Sequence, residues 1–579
     1  MLGNRDESLG PDALTPESAS RRGLLCAVLV ALLFVAVLLP TLGRDLGYYA
    51  DESYYDDVAI RMVQTGDYVI PHYLSDGLPH FNKPIVTYWM IAASYKLMGI
   101  NFFTSRLPSL LAGCLLAWIT FRLARVLFRR KESATLATLV LLSNFLIINY
   151  SVVSMPDIFQ TLFLTASFCG FAAILFNKDH SLLNYALAYV GAGLAVETKG
   201  LPGLILVAYV FCFCLLLRQK TGVRCRNLVE WKMLLLGAVV AFSWFVIITI
   251  QYKSAAIFGH PHKLDGFLAD QIGDELPGKG KAHRLSNVLF YLQSPCSHFA
   301  PWLLFLAMAL IPDFSLFRNF WREHKAKLLF ILCWGALLVL IFSMSKQVRG
   351  RYLMPVYPML AVIVGALLAE IIEKGRSSRW VRKTCKGMLL LMALFGLVIG
   401  LVGVWCGTAL VVGGLILSIA ALAFFLASLR RKDSFCFCGL AASLLIAVSV
   451  YTVLVKPAFD VSPLPGITRQ LASAGLDGSK VAGVGLPTRA ASQINVLSEG
   501  RIQIHGTTDK VTFGDVQKYP VILLSQEYRD KWNLEGYQFQ PCGCSYREWT
   551  AADIRKLLRT RDLDSVMEGR KILYYIATK

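Results

Sequence analysis

Apolar runs, each long enough at about 20 residues to cross a hydrocarbon core of about 30 Å, recur along this chain from Leu24 to Val455. Inside a bilayer every backbone N–H and C=O must be satisfied within the protein, so such runs have to be helices. The composition agrees: of 579 residues 55% are hydrophobic and 17% charged, with mean hydropathy +0.54, which no soluble globule of this size shows. Thirteen spans are read, at 24–42, 107–128, 134–150, 157–176, 182–198, 201–217, 233–251, 299–316, 328–345, 352–372, 388–405, 409–428 and 436–455. Beyond them, in 456–579, charged residues, short β-branched runs and turn residues alternate, the pattern of a water-exposed domain.

The net charge of +20 raises the question of nucleic acid, but the basic residues form no soluble patch with interleaved aromatics, so none is expected as a partner. They punctuate the spans instead: Arg129-Arg130-Lys131, Arg218 to Lys232, Arg318 to Lys327, Lys374 to Lys386, and Arg430-Arg431-Lys432 each sit in a connection. The positive-inside rule puts these loops, and Arg21-Arg22, in the cytoplasm. The segment 1–23 then reads as a disordered cytoplasmic tail. The run 24–42 lacks a small-residue cleavage pattern before Arg44 and is taken as a retained anchor. Segment 85–98, with Tyr88, Trp89, Tyr95 and Lys96, is too short to cross and reads as an amphipathic helix in the interface; counting it as a span would invert every later loop. The domain 456–579 must then lie on the outer side.

The same topology sorts the polar residues. The outer face gathers the long segment 43–106, the turn around Asp157, Lys199, the long segment 252–298 and the stretch from Ser345 to Arg351. A transporter would bury ionisable residues near the midplane of broken helices, whereas here they cluster at span ends. The reading is a transmembrane catalytic domain, 24–455, with its site at the outer membrane interface.

At these residues the chain resembles a known family. The order Tyr49-Ala50-Asp51-Glu52-Ser53-Tyr54-Tyr55, Gly66-Asp67-Tyr68-Val69-Ile70-Pro71, His80-Phe81-Asn82-Lys83-Pro84, Arg106, Asp157 and Thr198-Lys199-Gly200 is similar to that of the integral-membrane GT-C glycosyltransferases, most of all the lipid A aminoarabinose transferases and less the protein O-mannosyltransferases. The resemblance covers nearly the whole chain. It implies the GT-C fold of about thirteen helices with a C-terminal periplasmic α/β domain, in a bacterial inner membrane. It also implies a polyprenyl (undecaprenyl) phosphate sugar as donor and lipid A, a glycan or a protein as acceptor. Catalytic roles are implied for Asp51 and Glu52, donor-phosphate contacts for Lys83, Lys199, Arg349 and Arg351, and substrate contacts for Tyr54, Tyr55, His80, Asn82, Asp157, His283, Lys346 and Tyr352.

The residue types suit that chemistry. A polyprenyl phosphate leaves as an anion, so cations are needed where negative charge grows; Arg grips phosphate with a planar fork, and Lys acts as a point charge. Arg349 and Arg351 would otherwise serve only to anchor a helix end against headgroups. Asp51 either takes a proton from an acceptor hydroxyl in a single inverting displacement, or orients an already ionised lipid phosphate, or is simply a solvated carboxylate opening a loop helix. Glu52 suits capping or orienting as well as catalysis, and Asp157 after Pro156 suits an acidic N-cap. The rival readings are a protein O-glycosyltransferase and, from a different class, a glycolipid flippase.

The chain departs from the aminoarabinose pattern at Tyr54, where Arg is usual, and at Asn82, where Glu is usual. The second change removes a carboxylate that would pair with Lys83 or hold a metal beside a histidine such as His283. No cofactor is therefore expected to be required, and the adjacent His260-Pro261-His262 makes a weak metal site. Most of the fourteen cysteines lie in spans and act as small apolar residues, while Cys542-Gly543-Cys544 is too tight to close a comfortable disulfide. In the last domain strands are read at 481–485, 501–505, 520–524 and 572–577, with a helix at 551–558.

Overall fold

The computed structural model describes residues 16–44, 51–72, 79–81, 83–216, 224–252, 281–310, 314–345, 348–374, 378–406, 408–430, 433–452, 464–473, 480–484, 488–505, 519–531, 536–546, 550–560 and 563–578. The helices of the first part are α1 (Pro16–Leu38), α2 (Glu52–Thr65), α3 (Val86–Met98), α4 (Phe102–Phe128), α5 (Lys131–Leu142), α6 (Phe145–Tyr150), α7 (Pro156–Ala172), α8 (Leu182–Lys199) and α9 (Pro202–Leu216). There follow α10 (Trp231–Tyr252), α11 (Lys281–His298), α12 (Ala300–Leu310), α13 (Phe314–Ser343), a 3-10 segment Gly350–Val356, α14 (Tyr357–Lys374), α15 (Ser378–Cys406), α16 (Thr408–Arg430) and α17 (Asp433–Val450).

This is a polytopic α-helical membrane protein. Among the described residues seven helices are long and apolar enough to cross a bilayer, and 27–41, 202–216 and 436–450 are shorter apolar helices. Leu391, Leu401, Val404 and Ile419 are exposed, as suits helices packed in lipid rather than water. Two of the spans read from sequence differ in form. The stretch 134–150 is broken between α5 and α6, because Asn144 Oδ1 accepts from the Leu146 N–H and caps a new helix. The stretch 299–316 holds only the 11-residue α12 before the next helix starts at Phe314.

Helix α7, with its π-turn continuation to Asn177, is almost wholly enclosed by protein. It packs on α8 closely enough that a Cβ on Gly170 would lie 2.4 Å from the Asn184 carbonyl oxygen, so only glycine lets the backbones meet. The two ends of α7 differ chemically. Its far end meets the basic connections, where Arg129 donates to Asn177 Oδ1 over 3.2 Å and Arg130 to Glu370 over 2.8 Å. Its first turn, at Asp157, meets the candidate site.

Helix α3 spans 13 residues, too few to cross, and leaves Trp89, Met90, Leu97 and Met98 exposed while Tyr88, Ile91, Ala92 and Tyr95 are buried, so it carries an apolar face to the surface.

The last part carries α18 (Leu464–Ser473), β1 (Lys480–Val484), α19 (Thr488–Leu497), β2 (Gln503–His505), β3 (Val521–Ser525), α20 (Gln526–Lys531), β4 (Gln538–Tyr546), α21 (Ala551–Thr560), α22 (Leu563–Glu568) and β5 (Lys571–Thr578). Its sheet has the order β2-β1-β3-β5-β4, the first three strands parallel and β5 antiparallel to both neighbours. Strand β4 escaped the sequence reading because Pro541 and Gly543 interrupt it. Both are accommodated at the sheet edge, where the register shifts. Cys542 and Cys544 are free thiols, and burial pushes the Cys542 thiol up to about 12, out of reactive range.

Candidate active site

Three chain segments that are distant in sequence meet at the first turn of α7. Asp51 is the N-cap residue of α2 but caps no backbone group with its side chain, which leaves the carboxylate for other partners. The guanidinium of Arg351 donates to Asp51 Oδ2 over 2.5 Å, and Arg349 Nη1 stands 3.6 Å from the same oxygen. Arg351 Nε lies 3.8 Å from Asp157 Oδ1, so one fork faces two carboxylates. Asp157, only 2% exposed, takes a 2.7 Å hydrogen bond from Lys199 Nζ, and its Oδ2 has no hydrogen-bond partner. Lys199 Nζ also sits 4.9 Å from the centroid of the Tyr352 ring. Lys83, just ahead of α3, is near enough to repel Lys199. The Tyr150 hydroxyl, at the end of α6, lies beside Arg351. Sequence reasoning missed Tyr150, which lies in an apolar run and carries no local signal.

Local structure explains why these groups arrive together. Lys199 is the last residue of α8, which Gly200 closes with φ +84°. Asp157 follows Pro156, whose fixed φ suits the first helical turn. Arg349 is the N-cap of the 3-10 segment, so Arg349, Arg351 and Tyr352 follow from one tight turn. Four cations (Lys83, Lys199, Arg349 and Arg351) thus stand against the two carboxylates Asp51 and Asp157.

Glu52 faces elsewhere. It is 3% exposed, and its oxygens take a two-pronged grip from Arg106 at 2.6 and 3.1 Å, with the Ser154 N–H also donating to it at 3.1 Å. Arg106 in turn donates to the carbonyls of Leu42 and Arg44, tying the end of the first span to α2 and α4. One turn on, the Asp56 carboxyl is buried and receives the Ser154 hydroxyl at 2.7 Å; burial, then repulsion from Glu52, raises it well above the usual carboxylate range. Tyr55 is buried and stacks on Tyr88 with centroids 5.3 Å apart, in the hydrophobic cluster between α2 and α3. Tyr54 lies half-buried on α2, and the His80 N–H donates to the Pro71 carbonyl. His283 falls in the first turn of α11, whereas Asn82, Lys346, His260 and His262 lie outside the described residues. Among the described residues no three His, Cys, Asp or Glu side chains converge to hold a metal ion.

The arrangement, a cationic cluster with one partly exposed carboxylate at 21% exposure, can receive an anion and present an oxygen base beside it.

Known proteins share parts of this sequence and its fold. The family described as "Dolichyl-phosphate-mannose-protein mannosyltransferase" matches residues 82–248. The undecaprenyl phosphate-alpha-4-amino-4-deoxy-L-arabinose arabinosyl transferase of Yersinia pestis (strain Pestoides F) is 28% identical over 389 residues, 66% of this chain and 66% of that protein. The protein of the same name from Serratia proteamaculans (strain 568) is 28% identical over 392 residues, 67% of this chain and 65% of its own length. The match thus spans about 66% of the length of these curated relatives. The crystal structure of ArnT from Cupriavidus metallidurans bound to undecaprenyl phosphate superposes with a TM-score of 0.70 at 16% identity, over 96% of this chain and 98% of that one. Its apo state gives a TM-score of 0.67 at 18% identity, over 96% and 98%. The chain thus shares its fold with ArnT and is similar in sequence to the aminoarabinose transferases and, over residues 82–248, to the dolichyl-phosphate-mannose-protein mannosyltransferase family.

Proposed function

We propose that this chain moves a sugar from a polyprenyl phosphate carrier to lipid A, a glycan or another envelope acceptor by inverting displacement, at the outer face of a bacterial inner membrane. The observation that carries the reading is Arg351, whose fork joins Asp51 and Asp157 within a cluster of four cations. In that site the acceptor oxygen attacks the anomeric carbon, and the bond from that carbon to the carrier phosphate oxygen breaks. The electron pair leaves with the phosphate, where Arg349, Arg351, Lys83 and Lys199 offset the growing charge. A carrier phosphate also competes with Asp51 for Arg351. Its arrival would turn Asp51 toward the acceptor, to take a hydroxyl proton or to orient an ionised phosphate. Glu52 would position that helix from behind through Arg106. No metal is asked of the mechanism. The periplasmic setting rests on the distribution of the basic loops, all assigned to the opposite membrane face.

The matched mannosyltransferase segment favours a second reading, a protein O-glycosyltransferase, in which Asp51 is a true base on Ser or Thr. Mass spectrometry of lipid A, core oligosaccharide and envelope proteins, from cells with the chain, without it, and with Asp51→Asn, tests both. A sugar-sized mass restored by the wild type alone establishes transfer and names the acceptor. No difference in any fraction, with a glycolipid collecting on one leaflet, would replace the proposal with flipping.

A further inference from the structure

Helix α2 is gripped on a second face by the C-terminal domain. Asp57, Ile60 and Gln64 recur at spacings of three and four and so line one stripe of the helix, next to the stripe of Glu52 and Asp56 that faces Arg106 and Ser154. Onto it settles the end of α19. Asn495 Nδ2 donates to Asp57 Oδ1 over 2.7 Å while Asn495 Oδ1 accepts from the Ile504 N–H of β2, and both side chains are 1% exposed. The amide therefore links the sheet directly to the helix. Gln64 Nε2 donates to the Gly500 carbonyl over 2.9 Å. Gly500, at φ +76°, has the left-handed backbone that favours glycine, and it approaches so closely that a Cβ there would fall 2.5 Å from Gln64 Nε2 and displace that amide. Val496, 1% exposed, completes the contact within the cluster of Tyr55, Ala59 and Ile60.

We propose that the C-terminal domain is a positioning clamp for α2. Asn495 and the turn at Gly500 fix the placement of the helix that begins at Asp51, and so set the reacting geometry without lending a group to the site. Asn495 is thus a positioning residue, and the inference rests on the reading of Asp51 given above. The physical reason is leverage. α2 has its N-terminus in the site, so loosening the far half of the helix shifts Asp51 relative to Arg351, and misplacement of about 1 Å is enough to cost about 100-fold in rate.

The test uses the full chain in lipid nanodiscs, with three forms: wild type, Asn495→Leu, and the reciprocal swap Asp57→Asn with Asn495→Asp. In the swap the new amide at 57 donates and the new carboxylate at 495 accepts both from it and from Ile504. Sugar transfer from an undecaprenyl phosphate donor is measured as kcat and donor KM, and hydrogen exchange is followed separately over 51–65 and over β1 and β3. The clamp predicts that Asn495→Leu lowers kcat about 10-fold or more with donor KM nearly unchanged, speeds exchange in 51–65 but not in the sheet, and that the swap restores both. A wild-type kcat in Asn495→Leu overturns it, as does equal loosening of the sheet with no rescue. If the wild type transfers nothing, the proposed function fails instead. The clamp is then judged by exchange alone, standing if the swap restores protection of 51–65 and falling if it does not.

Discussion

Arg351 holds Asp51 across 300 residues of sequence, its Nη2 2.5 Å from Oδ2, while its Nε faces Asp157 at 3.8 Å. A guanidinium can address both carboxylates and still offer an N–H to a phosphate, whereas an ammonium is one point charge on a flexible stem. Arg351→Lys should therefore fall well short of conservative, lowering kcat/KM for the carrier-linked sugar about 10-fold or more, with Arg351→Ala lower still. Initial rates over a range of donor concentrations check this; wild-type kinetics in the Lys variant would remove the fork from the mechanism.

Asp51 and Glu52 are adjacent but should fail differently. Removing one partner of a buried ion pair costs about 3–5 kcal/mol, because the other charge stays behind without compensation. Glu52→Gln should thus lower the unfolding midpoint sharply, since Arg106 is 1% exposed and would lose its carboxylate. Asp51→Asn should leave that midpoint nearly unchanged and, with a hydroxyl acceptor, cut transfer by about 100-fold or more. Thermal unfolding and turnover on the same preparations separate the two residues.

Asp56 supplies a pH signature. Its carboxyl is raised by burial and by Glu52, so the folded protein favours the protonated form more than the unfolded chain does. The stability this contributes is fully present below the unfolded value and is lost as pH rises through the raised folded one. Asp56→Asn, permanently neutral, should flatten the fall in stability between mildly acidic and neutral pH. Melting curves of both forms over that range give the answer; parallel curves would mean Asp56 is not the group that titrates.

These contrasts show where the sequence was readable. Apolar length disclosed the membrane architecture, and the polar segments between spans, through the family resemblance they carry, named Asp51, Asp157, Lys199 and Arg351, which the fold brings together. Neighbouring residues in a helix diverge by about 100°, however, so Asp51 and Glu52 serve different partners although the sequence sets them side by side. The contact of Asp57 with Asn495, 438 residues on, leaves no local trace at either end. Tyr55 was read as touching substrate, yet its ring packs on Tyr88, a packing role that a motif cannot distinguish from binding.

Chelation should do little. Asp51 and Asp157 are both engaged by cations, and Asn82 stands where a carboxylate would be needed to hold a metal. Transfer assayed after EDTA treatment should keep its rate within about twofold, whereas structural or catalytic metals, held by three or four such ligands, are not removed without large loss. A collapse that added divalent cation reverses would establish a metal role.

The turn bearing Arg349 and Arg351 is itself held by one face of α11. Asn287, Tyr291, Ser294 and His298 recur at spacings of four, three and four, a single helical stripe. Asn287 Nδ2 donates to the carbonyls of Ser343 and Ser345, each at 3.2 Å, and the Arg349 N–H donates to the buried Tyr291 hydroxyl, also at 3.2 Å. Gly350 lies between them, where a Cβ would stand 3.1 Å from Ser294 Oγ. Tyr291→Phe keeps the ring and removes the acceptor, leaving a backbone donor short of a bond worth about 0.5–1.5 kcal/mol. Because that bond locates Arg349, proposed above to face the carrier phosphate, the loss should appear chiefly in donor KM, raised about 3- to 10-fold, with kcat at saturating donor nearly kept. Gly350→Val, which crowds the Ser294 hydroxyl where the turn meets the helix, should raise KM further. A fall in kcat with KM unchanged would assign the turn to the reacting geometry instead.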